Sequence, residues 1–148
     1  MSEEGVTKNI LKYLKKNNWN IYSYDFPQSG TGIMIKKNEK NNKNKNSIIP
    51  DIIAIKNNTC VFFENKDRIV ISDFKKISGL IINNEYQNNI DKLLSNFEIK
   101  NYYYGIGLPD NIKFDKLNTL LDLTDFIILV DKSNNIEIFY DKYKLFSK

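Results

Sequence analysis

The chain has 148 residues, 41% of them hydrophobic, which is enough for one domain with a buried core. It has no histidine and a single cysteine, Cys60, so zinc fingers, an intramolecular disulfide and histidine-dependent catalytic triads are excluded. The formal net charge is +4. The sequence shows no signal peptide, and no apolar run approaches the roughly 18 residues of a membrane span. We therefore expect a single domain, residues 1–148, in the cytoplasm and without a membrane partner.

The N-terminal elements are predicted from the spacing of apolar side chains. Residues 3–17 repeat apolar side chains at helical intervals, which predicts a helix. Residues 19–26 (WNIYSYDF) alternate imperfectly and predict a first strand. The composition of residues 27–32 indicates a loop, and residues 33–35 indicate a short piece of strand.

The excess positive charge is concentrated in residues 36–46 (KKNEKNNKNKN). This segment has five lysines and one glutamate, and the rest of the chain is electrically balanced. It is typical either of a solvated insertion or of a basic flap that contacts nucleic-acid phosphates. The first interpretation needs only biased composition, whereas the position just before Asp51 favours the second. The lysines that would contact phosphates are Lys36, Lys37, Lys40, Lys43 and Lys45.

The next segment is predicted to be a tight β-hairpin. Residues 48–56 and 59–66 form its strands, and the Asn-Asn pair between them tolerates the left-handed backbone of a two-residue turn. Counting outward from that turn sets Asp51 opposite Glu64. Lys66 projects from the same face as Glu64, because side chains alternate along a strand. Both faces of the hairpin are otherwise apolar, which predicts a sheet covered on both sides.

The rest of the chain alternates between helix and strand patterns. We predict helices over residues 72–82, 85–97 and 112–121, and strands over residues 101–108, 126–130 and 136–140. Together with the hairpin, these elements predict an α/β fold with a central mixed β-sheet flanked by helices.

The charged groups of the hairpin predict a metal-dependent hydrolytic site. Asp51 follows Pro50, and Glu64 precedes Lys66 by two residues. Like charges set opposite each other destabilise a sheet, and a divalent cation between them would remove that cost. Hard cations such as Mg²⁺ favour one or two carboxylates together with waters and phosphate oxygens. The alternative is an ordinary hairpin that carries a surface ion pair.

Pro50-Asp51 and Glu64-x-Lys66 on adjacent strands resemble the motif of the PD-(D/E)xK nuclease superfamily, over residues 1–108. The resemblance implies a restriction-endonuclease-like core in the order helix, three strands, helix and strand (αβββαβ), here with an extra C-terminal helix and β-hairpin. It implies that Asp51 and Glu64 hold Mg²⁺, with Mn²⁺ as a substitute. It also implies that Lys66 orients the attacking water.

The resemblance further implies a metal-dependent DNA endonuclease. Our first expectation is a small type II restriction endonuclease that cuts duplex DNA as a homodimer. Within the enzyme class, the alternative is a structure-specific nuclease such as a Holliday-junction resolvase or a repair nuclease. Outside that class, the alternative is a catalytically silent nucleic-acid-binding domain of the same fold.

Four further residues are candidates for the site. Members of the superfamily often add a carboxylate from the first helix. Helical counting places Glu3 on the inward face, whereas the Glu-Gly pattern of similar nucleases favours Glu4. Ser29 lies in a loop that resembles one in some junction resolvases, and we expect it to contact nucleic acid. Arg68, the only arginine, would bind a phosphate or form a surface ion pair with Asp67 or Asp73.

Overall fold

A computed structural model describes residues 1–26, 32–33, 35, 48–78 and 86–146, with backbone only for residues 76–78. The described chain forms a six-stranded sheet with helices on both faces. In chain order the elements are α1 (Glu3–Lys16), β1 (Asn20–Tyr24), β2 (Ile52–Lys56), β3 (Thr59–Asn65), α2 (Ile71–Ser78), α3 (Gln87–Leu93), β4 (Asn101–Pro109), α4 (Phe114–Asn118), a 3₁₀ turn (Leu121–Leu123), β5 (Phe126–Val130) and β6 (Ile136–Asp141).

The strands lie in the sheet in the same order as in the chain, from β1 to β6. β1 is antiparallel to β2, and β2 is antiparallel to β3. β4 runs parallel to both β3 and β5, and β6 closes the order antiparallel to β5. The α/β class with a mixed sheet and flanking helices is thus confirmed. Between β3 and β4 the described residues form two helices, as the apolar spacing predicts, whereas the order implied by the resemblance has one.

Helices cover both faces of the sheet, as the apolar hairpin predicts. On one face, Ile10 of α1 is buried in a cluster with Val61 and Phe63 of β3. On the other face, α3 contributes Ile90 to a second cluster, and α2 contributes Phe74 to a third. Complete burial of each such side chain stabilises the fold by about 1.5–3 kcal/mol. Among the described residues, no helix combines the length and apolar character needed to cross a lipid bilayer.

The register of the hairpin agrees with the prediction from its turn. Asn57 has φ 55°, the left-handed conformation that asparagine tolerates. The paired positions include Lys56 with Thr59 and Ile52 with Phe63. Continued by one residue, this register sets Asp51 opposite Glu64, as predicted.

The ends of several elements differ from the predicted ones. The regular strand before the turn begins at Ile52, not at residue 48, although Ile48 forms an isolated antiparallel bridge with Ile35. The helix predicted over residues 112–121 is limited to Phe114–Asn118. Thr119 donates its hydroxyl to the carbonyl of Lys116 (2.6 Å), a local bond that competes with continuation of the helix.

Candidate functional site

The candidate site lies where β2 begins and β3 ends. The Asp51 N–H donates to the Phe63 carbonyl (2.9 Å), which continues the pairing of the hairpin past Ile52. The Lys66 N–H donates to the Gly107 carbonyl (3.0 Å), which continues the pairing of β3 with β4. Both backbone positions are therefore held by the sheet and not by a free loop. A site on regular elements holds its side chains more accurately than a site on loops.

The Lys66 ammonium contacts carboxylates from three different elements. Its Nζ lies 2.9 Å from Asp73 Oδ2, 3.5 Å from Glu3 Oε1 and 3.7 Å from Glu64 Oε1. Glu3 comes from the first turn of α1, Glu64 from β3 and Asp73 from the first turn of α2. The side chains of Glu64 and Lys66 are only 15% and 19% exposed, so their charges interact across a partly desolvated space.

Burial dominates the electrostatics of the two motif carboxylates. Burial raises the pKa of Asp51 to about 7, against a hydrogen bond from the Asn65 N–H to Asp51 Oδ2 (2.7 Å) that lowers it. Burial also raises the pKa of Glu64 to about 9, and the nearby Asp51 carboxylate is the next cause. Two carboxyl groups that resist ionisation beside each other are a typical consequence of like charges sharing a buried site.

The pKa of Lys66 is shifted in the direction that keeps it charged. Burial by itself would lower the pKa of Lys66, but its hydrogen bond to Asp73 raises it, and the Glu64 and Glu3 carboxylates raise it further. The net pKa lies above the ordinary value. The neighbouring carboxylates therefore favour the charged form of the ammonium at neutral pH.

A buried polar contact joins α1 to the end of β3. The Asn65 Nδ2 donates to the Thr7 hydroxyl (3.0 Å), and both side chains are buried. The backbone N–H of Asn65 donates to Asp51 Oδ2, whereas the side-chain oxygen, Asn65 Oδ1, is buried without a hydrogen-bond partner. A Cβ at Gly107 would collide with the Asn65 side chain, so this contact needs glycine on the neighbouring strand. Asn65 thereby fixes α1, and with it Glu3, relative to the motif.

Of the two candidates on the first helix, Glu3 lies beside the motif. It reaches Lys66, and its charge also raises the pKa values of Asp51 and Glu64. Glu4 is exposed to solvent on the same turn. The structure therefore places Glu3, the residue favoured by helical counting, beside the motif, and Glu4, the residue favoured by the Glu-Gly pattern, away from it.

Most of the residues predicted to contact nucleic acid are not among those that the structure describes. Ser29 and the five lysines of residues 36–46 lie outside the described residues. Arg68 is described and exposed, two residues past Lys66. Of the two aspartates considered as its partner, Asp73 pairs instead with Lys66.

Two residues that contact the motif in the structure, Asp73 and Asn65, are not part of the site predicted from the sequence. Asp73 is recognisable in the sequence only as an acid in the first turn of a helix, a position that favours acids through the helix dipole alone. Asn65 is the unspecified residue between Glu64 and Lys66. No spacing rule links either residue to the motif, because both contacts depend on how α1 and α2 pack on the sheet.

Asp51 and Glu64 are the residues suited to hold a cation, with Glu3 at their side. In the described part of the chain, no group of three or more histidine, cysteine or acidic residues has the arrangement of a metal cage. A pair of carboxylates fits Mg²⁺ nonetheless, since this ion keeps several waters and binds through one or two carboxylates plus phosphate oxygens. The oxygen-only set excludes the sulfur and imidazole ligands typical of zinc.

Comparison of the chain with models of protein families, with curated proteins and with solved structures finds no match.

Proposed function

We propose that this protein is a Mg²⁺-dependent endonuclease of the PD-(D/E)xK type. The observation that carries the proposal is the grouping of Asp51, Glu64 and Lys66 at the adjoining ends of β2 and β3. The two carboxylates have raised pKa values there, and a lysine lies beside them. Such a group is costly in an inert hairpin, because burial and mutual repulsion both oppose ionisation. A bound divalent cation would reverse both effects.

In this proposal, the charge of each residue determines its role in catalysis. Asp51 and Glu64 would hold the cation through oxygen atoms, after losing the protons that the metal-free site favours. Bound Mg²⁺ would polarise a phosphate oxygen and lower the pKa of a coordinated water. Lys66 would orient that water or stabilise the negative charge that develops on the phosphate in the transition state. The Asn65 N–H keeps the Asp51 carboxylate oriented throughout.

The substrate of this proposal is DNA, cut as a duplex by a homodimeric type II restriction endonuclease. A two-fold dimer presents one site to each strand of a symmetric target. The net charge of +4 and the lysines of residues 36–46 would supply attraction for phosphates. A Holliday-junction or repair nuclease uses the same chemistry on a different DNA shape, and the cleavage experiment includes both kinds of substrate.

The deciding experiment is a cleavage assay on labelled duplex and four-way-junction DNA, with Mg²⁺ or with EDTA. We expect cleavage that requires Mg²⁺ and is abolished or nearly abolished in Asp51→Ala, Glu64→Ala and Lys66→Ala. Asp115→Ala, an exposed acid on α4, is the matched control and should cut normally. Full activity in Asp51→Ala would refute the site. Metal-independent DNA binding without any cleavage would favour the silent binding domain.

A further inference from the structure

The shortest contact of the Lys66 ammonium is with a residue outside the motif. Asp73 Oδ2 lies 2.9 Å from Lys66 Nζ, a hydrogen-bonding distance, whereas Glu3 and Glu64 are 3.5 and 3.7 Å away. Asp73 is 39% exposed and Lys66 is 19% exposed. Asp73 is thus the most exposed of the three carboxylates that contact the lysine.

Asp73 is held in place by the packing of α2. The next residue, Phe74, is completely buried in the cluster formed with Ile106 and Leu108 of β4. The Asp73 N–H donates to the Val70 carbonyl (3.1 Å) in the first turn of the helix. Burial of Phe74 fixes the backbone of α2 on the sheet, and with it the Cα position of Asp73. The core beneath α2 therefore brings the Asp73 side chain within reach of Lys66.

Metal binding would change which partners Lys66 keeps. Under the proposed function, Asp51 and Glu64 give their negative charge to the cation. The cation also repels the ammonium, since both are positive. Asp73 belongs to α2, outside the motif strands, and has the shortest contact with the ammonium. It is then the nearest carboxylate left to hold Lys66 beside the reacting phosphate, since Glu3 is 3.5 Å away.

We infer that Asp73 is a positioning residue for Lys66: its carboxylate, fixed by α2, holds the ammonium in place when the motif carboxylates bind the cation. This inference rests on the proposed function. It assigns to Asp73 neither a metal bond nor a contact with substrate. Removal of Asp73 should therefore slow the chemical step without altering the requirement for metal.

The kinetic test measures the single-turnover cleavage rate as a function of Mg²⁺ concentration. Asp73→Asn should lower the maximal rate by about 10–100-fold, the loss typical of residues that orient groups in a metal site. The Mg²⁺ concentration at half-maximal rate and the affinity for DNA should stay at wild-type values. Asp73→Glu, which keeps the charge, should recover part of the rate. Asp67→Asn, an exposed acid near Lys66 in the chain, is the matched control for loss of one negative charge.

Three outcomes would overturn the inference. A rate in Asp73→Asn equal to that of Asp67→Asn would mean that Lys66 needs no such anchor. An increased Mg²⁺ requirement would make Asp73 a metal ligand instead. Weaker DNA binding at an unchanged maximal rate would make it a substrate contact.

A second measurement is independent of activity. In a double-mutant cycle, the unfolding free energies of Asp73→Asn, Lys66→Met and the double variant are compared in metal-free buffer. The two changes should be non-additive, because the residues are in direct contact. Strict additivity would show that the two side chains do not interact, and it would overturn the inference. A wild-type protein that cuts no nucleic acid would instead overturn the proposed function, whatever the cycle shows. If the wild type cleaves normally and Asp73→Asn reaches the same maximal rate, the positioning role alone is overturned.

Discussion

The metal-free protein should lose stability as the pH rises, and the carboxyl group of Asp51 should account for a measurable part of the loss. In the folded state burial raises the pKa of Asp51 from 3.8 to about 7. A folded state that binds a proton more tightly than the unfolded chain is favoured at low pH. The contribution of Asp51 to stability is therefore complete below pH 3.8 and is lost as the pH rises through 7.

The size of the effect follows from the pKa shift. Between pH 5 and pH 8, the ionisation of a group with these two pKa values reduces the free energy of unfolding by about 2–3 kcal/mol. Asp51→Asn removes the ionisation while keeping the shape of the side chain. The stability advantage of the variant over the wild type should thus grow by about that amount over this pH range, in EDTA.

Urea unfolding followed by tryptophan fluorescence is a suitable assay. Trp19 is the only tryptophan and is buried in the core against α1. Asp115→Asn, an exposed acid on α4, is the control for removal of a carboxyl group outside the site. Saturating Mg²⁺ at pH 8 should stabilise the wild type but not Asp51→Asn, because the cation needs the ionised carboxylate. A constant difference between the wild type and Asp51→Asn across the pH range would refute the reasoning.

Three other predictions concern the first helix, the strand beside Asn65 and the basic segment. Glu3→Gln should raise the Mg²⁺ concentration needed for cleavage while Glu4→Gln behaves as the wild type, since only Glu3 reaches the motif; the reverse result would restore the expectation for Glu4. Gly107→Ala should lower the free energy of unfolding by about 1–3 kcal/mol in chemical denaturation, because the new methyl group collides with Asn65; an unchanged denaturation midpoint would contradict this. Replacement of all five lysines of residues 36–46 by glutamine should weaken DNA binding for every sequence and flatten the salt dependence of log K by up to about 0.9 per lost contact. An unchanged slope would identify the segment as a solvated insertion.

The motif itself was predictable because it depends on short-range rules. A turn at two asparagines sets the register, and the register sets which residues are opposite each other and which share a face. The apolar residues of both strands then divide between the two core clusters as their alternation predicts. None of these steps requires knowledge of the distant parts of the chain.

The contacts around the motif could not be predicted in the same way. The approach of Asp73 to Lys66 depends on the docking of α2 through Phe74, and the approach of Glu3 depends on the contact between Thr7 and Asn65. Both are decided by tertiary packing between elements whose own patterns are unremarkable. For the first helix, the position of Glu3 beside Lys66 agrees with helical counting, whereas the Glu-Gly pattern of similar proteins points to the exposed Glu4.

The pairing of Tyr24 with Ile52 has a consequence for how such a protein could change its target. The connection leaves the sheet at Tyr24 and returns beside it at Ile52, and within it Ile35 and Ile48 are buried and form a bridge with each other. Since the ends of residues 36–47 therefore meet, a doubling of the length of that segment adds only about 0.6 kcal/mol to the entropy cost of closing it. Insertions and deletions between Ile35 and Ile48 are then nearly neutral for the strands next to Asp51 and Glu64. Under the proposed function, recognition could diverge between related chains through this segment while the groups of the motif are kept.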